Sequence, residues 1–308
     1  MNPMANLLMV YLIPVFTSLS WLLGGVLVLQ LSPYSLSISR TAIVGVLLLI
    51  YFLVFSRKPL QTIAKTSTCW WIDQAILAIS GRTIYYYYSS KALLSISPFE
   101  AILVASFLPI IILFFNKIFK ISNVNTLSLA LGLLACALNI YTLTIYSTDR
   151  FSGFGTGHIE MLIAISGFAF HTIYYKAKVK ESSPLLPLAV QFLIGAIIML
   201  PFTKTNFLAE FGHLQLVSWG QFTFYSLVCG LLPFVFLHYA LQMHSPFLIT
   251  TISMLAPAFA IVFKSIYQEQ PLNMWFIICT IATCSLAVLT LTANKTSTLK
   301  LGEKKCIE

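Results

Sequence analysis

The chain has 308 residues, of which 58% are hydrophobic and only 9% charged, and its mean hydropathy is +0.89. About a quarter of the residues of a soluble globular protein are charged, so this chain cannot cover a water-facing surface and must be solvated by lipid. Its net charge of +9 does not mark a nucleic-acid binder, because the lysines form no single basic face and fall in short loops between apolar runs, where they orient a membrane protein.

A spanning helix needs about 20 mostly apolar residues. Ten such runs follow one another: 7–29, 35–55, 69–90, 97–116, 127–146, 158–176, 184–202, 217–237, 245–266 and 272–292. They are continuous rather than alternating, which favours helices over a membrane β-barrel. The first has neither a basic leader nor a small-residue cleavage site, so it reads as a retained helix and not a signal peptide. Linkers as short as Gln30 to Tyr34 make antiparallel hairpins. Of the 18 lysines and arginines, twelve fall on one side of this alternation, four on the other, and Arg40 and Arg82 within spans. That bias predicts both termini in the cytoplasm, with 294–308 as a basic cytoplasmic tail that includes the sequon-like Asn294-Lys295-Thr296. The six cysteines form no C-x-x-C pair and read as packing residues. No metal or cofactor site is expected.

In chain order, Trp21 of the first span is a candidate cavity wall, and Gly24-Gly25 beside it suits close helix packing. The third span holds Arg82, about 12 residues in, or ~18 Å deep in a ~30 Å hydrocarbon core. An arginine at that depth costs at least ~2.5 kcal/mol unless it has a cavity or a partner. It is either a fork of donors for a substrate carboxylate or phosphate, or a structural ion pair with Glu100, or a snorkelling side chain. Gln74, Ala78, Gly81, Arg82, Tyr85 and Ser89 share a helical stripe, which predicts that Tyr85, with Tyr86 at its margin, shares the arginine's face. Asn139 in the fifth span is a further wall candidate. A similar stripe in the sixth span holds Glu160, Ala164, Gly167, His171 and Tyr174 or Tyr175, and His171 is again near mid-depth, as a substrate ligand, a proton acceptor or a hydrogen-bonded packing residue. Ser253 in the ninth span completes the candidate substrate-binding set. Asp73, Glu100, Glu160 and Glu269 all lie near span ends. The lack of a mid-depth carboxylate argues against proton or sodium coupling and leaves His171 as the remaining proton candidate.

Ser97-Pro98-Phe99 returns 148 residues later as Ser245-Pro246-Phe247. Ala92-Leu93 and Pro109 recur at that offset as Ala240-Leu241 and Pro257, and Ser32-Pro33 recurs as Ser183-Pro184 at an offset of 151. Spans 1–5 (residues 1–148) and 6–10 (149–293) therefore read as two copies of one unit. Because five is odd, the second copy enters the membrane inverted, a common design of secondary transporters with the substrate near the midplane. Pro98 and Pro246 sit at span starts, whereas Pro109 and Pro257 fall mid-span as a symmetric pair of hinge candidates.

Trp21, Ser32-Pro33 with Arg40 seven residues beyond that proline, Ala92-Leu93 followed by Pro109, and Ala240-Leu241 with Pro257 and Glu269 resemble the EamA-like ten-helix members of the drug/metabolite transporter superfamily over residues 14–292. The resemblance implies ten helices around a central cavity that moves small metabolites, often outward. Lys117 and Ile121 stand where that family usually has a glutamate, and Arg82 and the run Tyr85 to Tyr88 lie outside its general pattern.

The expectation is an all-α polytopic membrane protein of ten transmembrane helices, arranged as two inverted five-helix repeats around a central cavity in a bacterial inner (plasma) membrane. It is read as a secondary transporter that moves a small amphipathic metabolite, an amino acid or related carboxylate, by alternating access in export or exchange. Its partners are that substrate and the bilayer. The alternative is a non-transporting scaffold or receptor subunit, although the loops are short for one. No enzyme motif is present: neither H-E-x-x-H, nor G-x-S-x-G, nor a P-loop.

Overall fold

The computed structural model describes residues 3–56, 63, 66–120, 126–146, 154–179, 183–202, 207–268, 274–275, 277–286 and 289. The expected tail 294–308, Ile121, Glu269, Arg57, Lys58, Lys65, Arg150, Lys180 and Lys204 lie outside the described residues. Every regular element within them is helical: α1 Pro3–Leu27, α2 Pro33–Phe55, α3 Thr68–Ala78, α4 Tyr85–Ala92, α5 Pro98–Ala105, α6 Leu108–Phe119, α7 Thr126–Tyr146, α8 Thr156–Lys178, α9 Leu185–Met199, α10 Phe207–Gly212, α11 Leu216–Ser226, α12 Leu232–Met243, α13 Pro246–Ser253 and α14 Ala256–Gln268. A last apolar helix covers Ile277–Leu286.

The Ser-Pro pairs are helix starts. Ser32, Ser97 and Ser245 each take the N-cap position, and their hydroxyls accept from the backbone N–H of Ser35, Glu100 and Leu248. The proline after each cap has no N–H to waste and a φ already suited to the first turn. At Ser97 the cap is reciprocal, because Ser97 N–H donates to Glu100 Oε2 at 2.7 Å. Glu100 is therefore a capping residue, and among the described residues no ion pair joins it to Arg82.

Six stretches are long and apolar enough to cross a membrane: Leu8–Leu27, Pro33–Phe55, Pro98–Phe119, Leu185–Phe202, Leu216–Met243 and Pro246–Phe263. Helices also occupy the expected third and sixth spans, but these are too polar to join that set. The rod Thr68–Ala92 carries Asp73, Gln74, Arg82, Lys91 and four tyrosines, and α8 carries His158, Glu160 and His171. These two polar helices pack against each other along their length. At one end Lys91 Nζ meets Glu160 Oε1 at 2.7 Å, and at the other Tyr174 Oη donates to Asp73 Oδ1 at 2.6 Å. The hydrogen bond to Glu160 holds the Lys91 ammonium above the ordinary lysine range.

Burial is inverted relative to a water-soluble protein. Gln74, Arg82, His171, Gln191 and His238 have no exposed surface, whereas Leu29, Phe55, Ile197 and Leu216 are more than half exposed. Lipid solvates the apolar outside, and the polar side chains turn inward where partners exist.

Glycine allows the closest approaches. A Cβ on Gly25 would lie 2.3 Å from Pro98 Cγ, so α1 and α5 touch through backbone, as expected for this glycine pair.

Two irregularities occur twice. A π turn, Ile79–Ile84, joins α3 to α4, and another, Leu227–Leu231, joins α11 to α12. Their starts are 148 residues apart. The fourth-span helix breaks between α5 and α6, and the ninth-span helix between α13 and α14, again 148 residues apart. Phe107 N–H bonds to Val104 O at one break, and Leu255 N–H to Ile252 O at the other, both at 3.0 Å. Pro109 and Pro257 are thus the second residues of new helices and not kinks within continuous ones, and the breaks lie just before them. Both remain mid-span, as expected, and a first turn is where a proline is most easily accommodated.

Candidate functional site

Both halves of the chain contribute to one central cavity of about 70 Å³. Thr17, Ser20 and Trp21 reach it from α1, Arg40 from α2 and Tyr85 from α4. Ser106 enters from the first helix break, Phe168 from α8, Phe234 from α12, and Thr250 and Ser253 from α13. The helix breaks bring the walls close, since Ala105 and Leu108 flank one, and Ser253 and Ala256 the other. This volume is well under the ~300 Å³ of a typical small-ligand cleft, so the conformation is a narrow one.

Four aromatic rings cluster on the wall among aliphatic side chains. Tyr85 stands edge-on to Trp21, with centroids 6.3 Å apart, and lies 4.8 Å from Phe168 and 6.4 Å from Phe234. The wall hydroxyls are oriented by their own helices. Thr17, Ser106, Thr250 and Ser253 each donate to a carbonyl four residues back, so they present oxygen lone pairs to the cavity rather than protons.

The cation of the cavity is Arg40, only 4% exposed. Its Nη2 donates to Ser20 Oγ at 2.9 Å and to Cys229 O at 2.6 Å, inside the second π turn. The guanidinium carbon lies 4.0 Å from the Tyr225 ring centroid and 4.7 Å from that of Tyr86. Stacking between two electron-rich faces offsets part of the desolvation of the charge. Nε is buried and has no hydrogen-bond partner among the described residues.

Arg82 occupies the counterpart position behind the wall. Its Nη1 donates to Gly81 O at 3.2 Å, inside the first π turn, and Nη2 to Gln191 Oε1 at 3.4 Å. It stacks between Phe192 and Phe234, at 4.2 and 4.3 Å. Gln191 is held in turn, its Nε2 donating to Gln74 Oε1 at 2.8 Å. A π turn interrupts the regular ladder, and a side-chain donor gains access to a carbonyl there. The two carbonyls that accept from arginine, Gly81 O and Cys229 O, are 148 residues apart. Shifts of 148 and 151 likewise carry Arg82 onto Gly230 and Arg40 onto Gln191. A Cβ on Gly230 would meet Arg40 Nε at 3.0 Å, so this pair too is in contact.

Of the residues expected from sequence, the structure brings Trp21, Tyr85 and Ser253 together on the cavity wall. It places Arg82, Tyr86, His171, Tyr174 and Asn139 elsewhere. Tyr86 lies beneath Arg40 and is 2% exposed. His171 is fully buried on the Gly81 backbone, with Nδ1 3.0 Å from Leu77 O and Nε2 3.3 Å from His238 Nε2. Tyr174 serves the Asp73 contact near the helix end. Asn139 is buried on α7, and its Nδ2 has no partner among the described residues. Arg40, which lines the cavity, enters the sequence reading as a basic residue within a span and as part of a family-like hairpin, not as a binding candidate. It carries the same signal as Arg82, a charge within a span.

Arg40 and Arg82 have no carboxylate partner among the described residues, and no cluster there could hold a metal ion. Outside the spans, burial and then the nearby Lys176 charge hold His244 below the usual histidine range.

No curated protein matches the sequence. One solved crystal structure superposes with a TM-score of 0.67 at 15% identity, over 94% of this chain and 95% of that one, a likeness of fold alone. Residues 155–292 match the family model described as the EamA-like transporter family. That stretch holds the Ala240-Leu241 and Pro257 pattern on helices apolar enough to cross a membrane, and over these residues, just under half of the chain, the protein is similar to the EamA-like transporter family.

Proposed function

We propose that the protein is a secondary transporter whose two halves, 1–148 and 149–293, are inverted repeats that alternate access to the central cavity, with 294–308 as a cytoplasmic tail. One observation carries this reading. A cavity lined from both halves lies beside helix breaks that recur at one offset. The paired π turns and their arginine-bound carbonyls support it, because they relate a residue of one half to its equivalent in the other. In this reading ten helices cross a bacterial plasma membrane, and the breaks before Pro109 and Pro257 act as hinges. The substrate is a small amphipathic metabolite bearing a carboxylate, an amino acid or a related acid, moved outward or in exchange. Trp21, Tyr85 and Ser253 contact it together with Arg40. Arg82, Tyr86 and His171 buttress the wall from behind.

Flux of labelled amino acids and related carboxylates into proteoliposomes is the direct test. Saturable flux of at least one is expected, and strictly linear flux equal to that of empty liposomes for all of them would reject a carrier. Orientation has its own test. Single cysteines at Lys178 and at Lys91 should be labelled from opposite sides of the membrane. Labelling of both from one side removes the inverted arrangement.

A further inference from the structure

Arg40 brings one positive charge into the cavity, and among the described residues no acid answers it. Its acceptors are a hydroxyl and a backbone carbonyl, and its stacking partners are neutral rings. Among the described residues both of its hydrogen bonds leave from Nη2, and the buried Nε makes none. The other lining residues are aliphatic, aromatic or hydroxyl-bearing, with the Cys229 thiol, and no acidic, basic or histidine side chain besides Arg40 is among them.

We propose that the cavity selects its occupant by net charge and takes a monoanionic carboxylate with an apolar or aromatic body in preference to the zwitterion or the cation of the same shape. This rests on the reading of the cavity as the substrate site and narrows the ligand class within it. A carboxylate against Arg40 neutralises the site and supplies acceptors for donors that lack them. A zwitterion brings the same carboxylate, but its ammonium then lies a few ångströms from the same guanidinium and opposes it. The wall oxygens of Thr17, Ser106, Thr250 and Ser253 can accept from that ammonium but cannot cancel its charge. A cation meets Arg40 with no compensation at all. Away from water these differences are screened little.

The experiment uses the purified full-length protein in detergent and a grid of probes. Three bodies, propyl, isobutyl and benzyl, are each presented as the 2-oxo acid anion, the amino acid and the amine, and binding is read by thermal shift and by tryptophan fluorescence. For whichever body binds, the oxo acid is expected to bind at least tenfold more tightly than the amino acid, with the amine weakest. In Arg40→Gln this order should flatten to within about threefold. The wild-type comparison stands by itself should that variant fail to fold. Equal or tighter binding of the amino acid or amine to the wild type overturns the charge selection and leaves the cavity as a substrate site. If no probe of any body binds, the reading of the cavity as a site for small carboxylates falls, and the selection with it.

Discussion

Replacing Gly81 by alanine is expected to lose most of the folded protein. Its Cβ would lie 2.3 Å from His171 Nδ1, 2.4 Å from Cγ and 2.9 Å from Cβ, where the third-span rod presses on α8. The ring cannot retreat, because Nδ1 is bound to Leu77 O and Nε2 faces His238. Overpacking in a close-packed interior typically costs about 1–3 kcal/mol, and the upper end of that range is a hundredfold change in the folded ratio. The rod would have to shift, and Arg82 and Tyr85 would move with it. Monodisperse yield in detergent is the measurement. His171→Ala in the same chain removes the two shortest contacts but keeps a Cβ at 2.9 Å, so recovery should be partial. A Gly81→Ala protein with wild-type yield and melting temperature would show that the two helices do not meet here.

Arg40→Leu should remove saturable transport while leaving the protein inserted. Hydrogen bonds made by a charged group contribute about 1.5–3 kcal/mol each, so loss of one such bond to a substrate carboxylate raises KM roughly ten- to hundredfold. Yield should hold or rise, since Arg40 has only neutral partners among the described residues and its removal relieves an insertion cost of ~2.5 kcal/mol or more. Arg40→Lys keeps the charge but loses the planar fork, and should fall between the two. Arg82→Leu provides the contrast. Arg82 does not reach the cavity, so KM should stay within about threefold while the melting temperature drops, because Gln191 loses its donor and the Phe192 and Phe234 faces lose their cation. Equal KM effects at both arginines would place Arg82 on the substrate path.

Most helix positions are legible in the sequence because bilayer thickness forces long apolar runs, and Ser-Pro marks helix starts by hydrogen bonding that depends on three or four residues. The helices at the expected third and sixth spans are legible by continuity despite their polarity. Azimuth is not. Depth comes from counting residues, but facing depends on helical phase, and the π turn at Ile79–Ile84 adds a residue to that phase. One extra residue rotates the downstream helix by about 100°. The expected stripe therefore splits, with Tyr85 on the cavity wall and Arg82 behind it. A π turn has no reliable sequence signature. Arg40 is hidden for a different reason: no polar stripe accompanies it, and its partners Ser20, Tyr86 and Cys229 are distant in sequence.

The placement of Arg82 also orders events during synthesis. Its side-chain amide partner, Gln191, is 109 residues downstream, and Phe192, Phe234 and the close-packed Gly195 come later still. When the third span leaves the ribosome, none of them exists. The nascent helix must wait at the insertion machinery or the bilayer edge with an unshielded guanidinium until α9 and α12 arrive. The N-terminal half is thus not a unit that matures before the C-terminal half is made. Completion of the last few helices closes the first few, and a chain cut short between them leaves a charged helix for membrane quality control to remove.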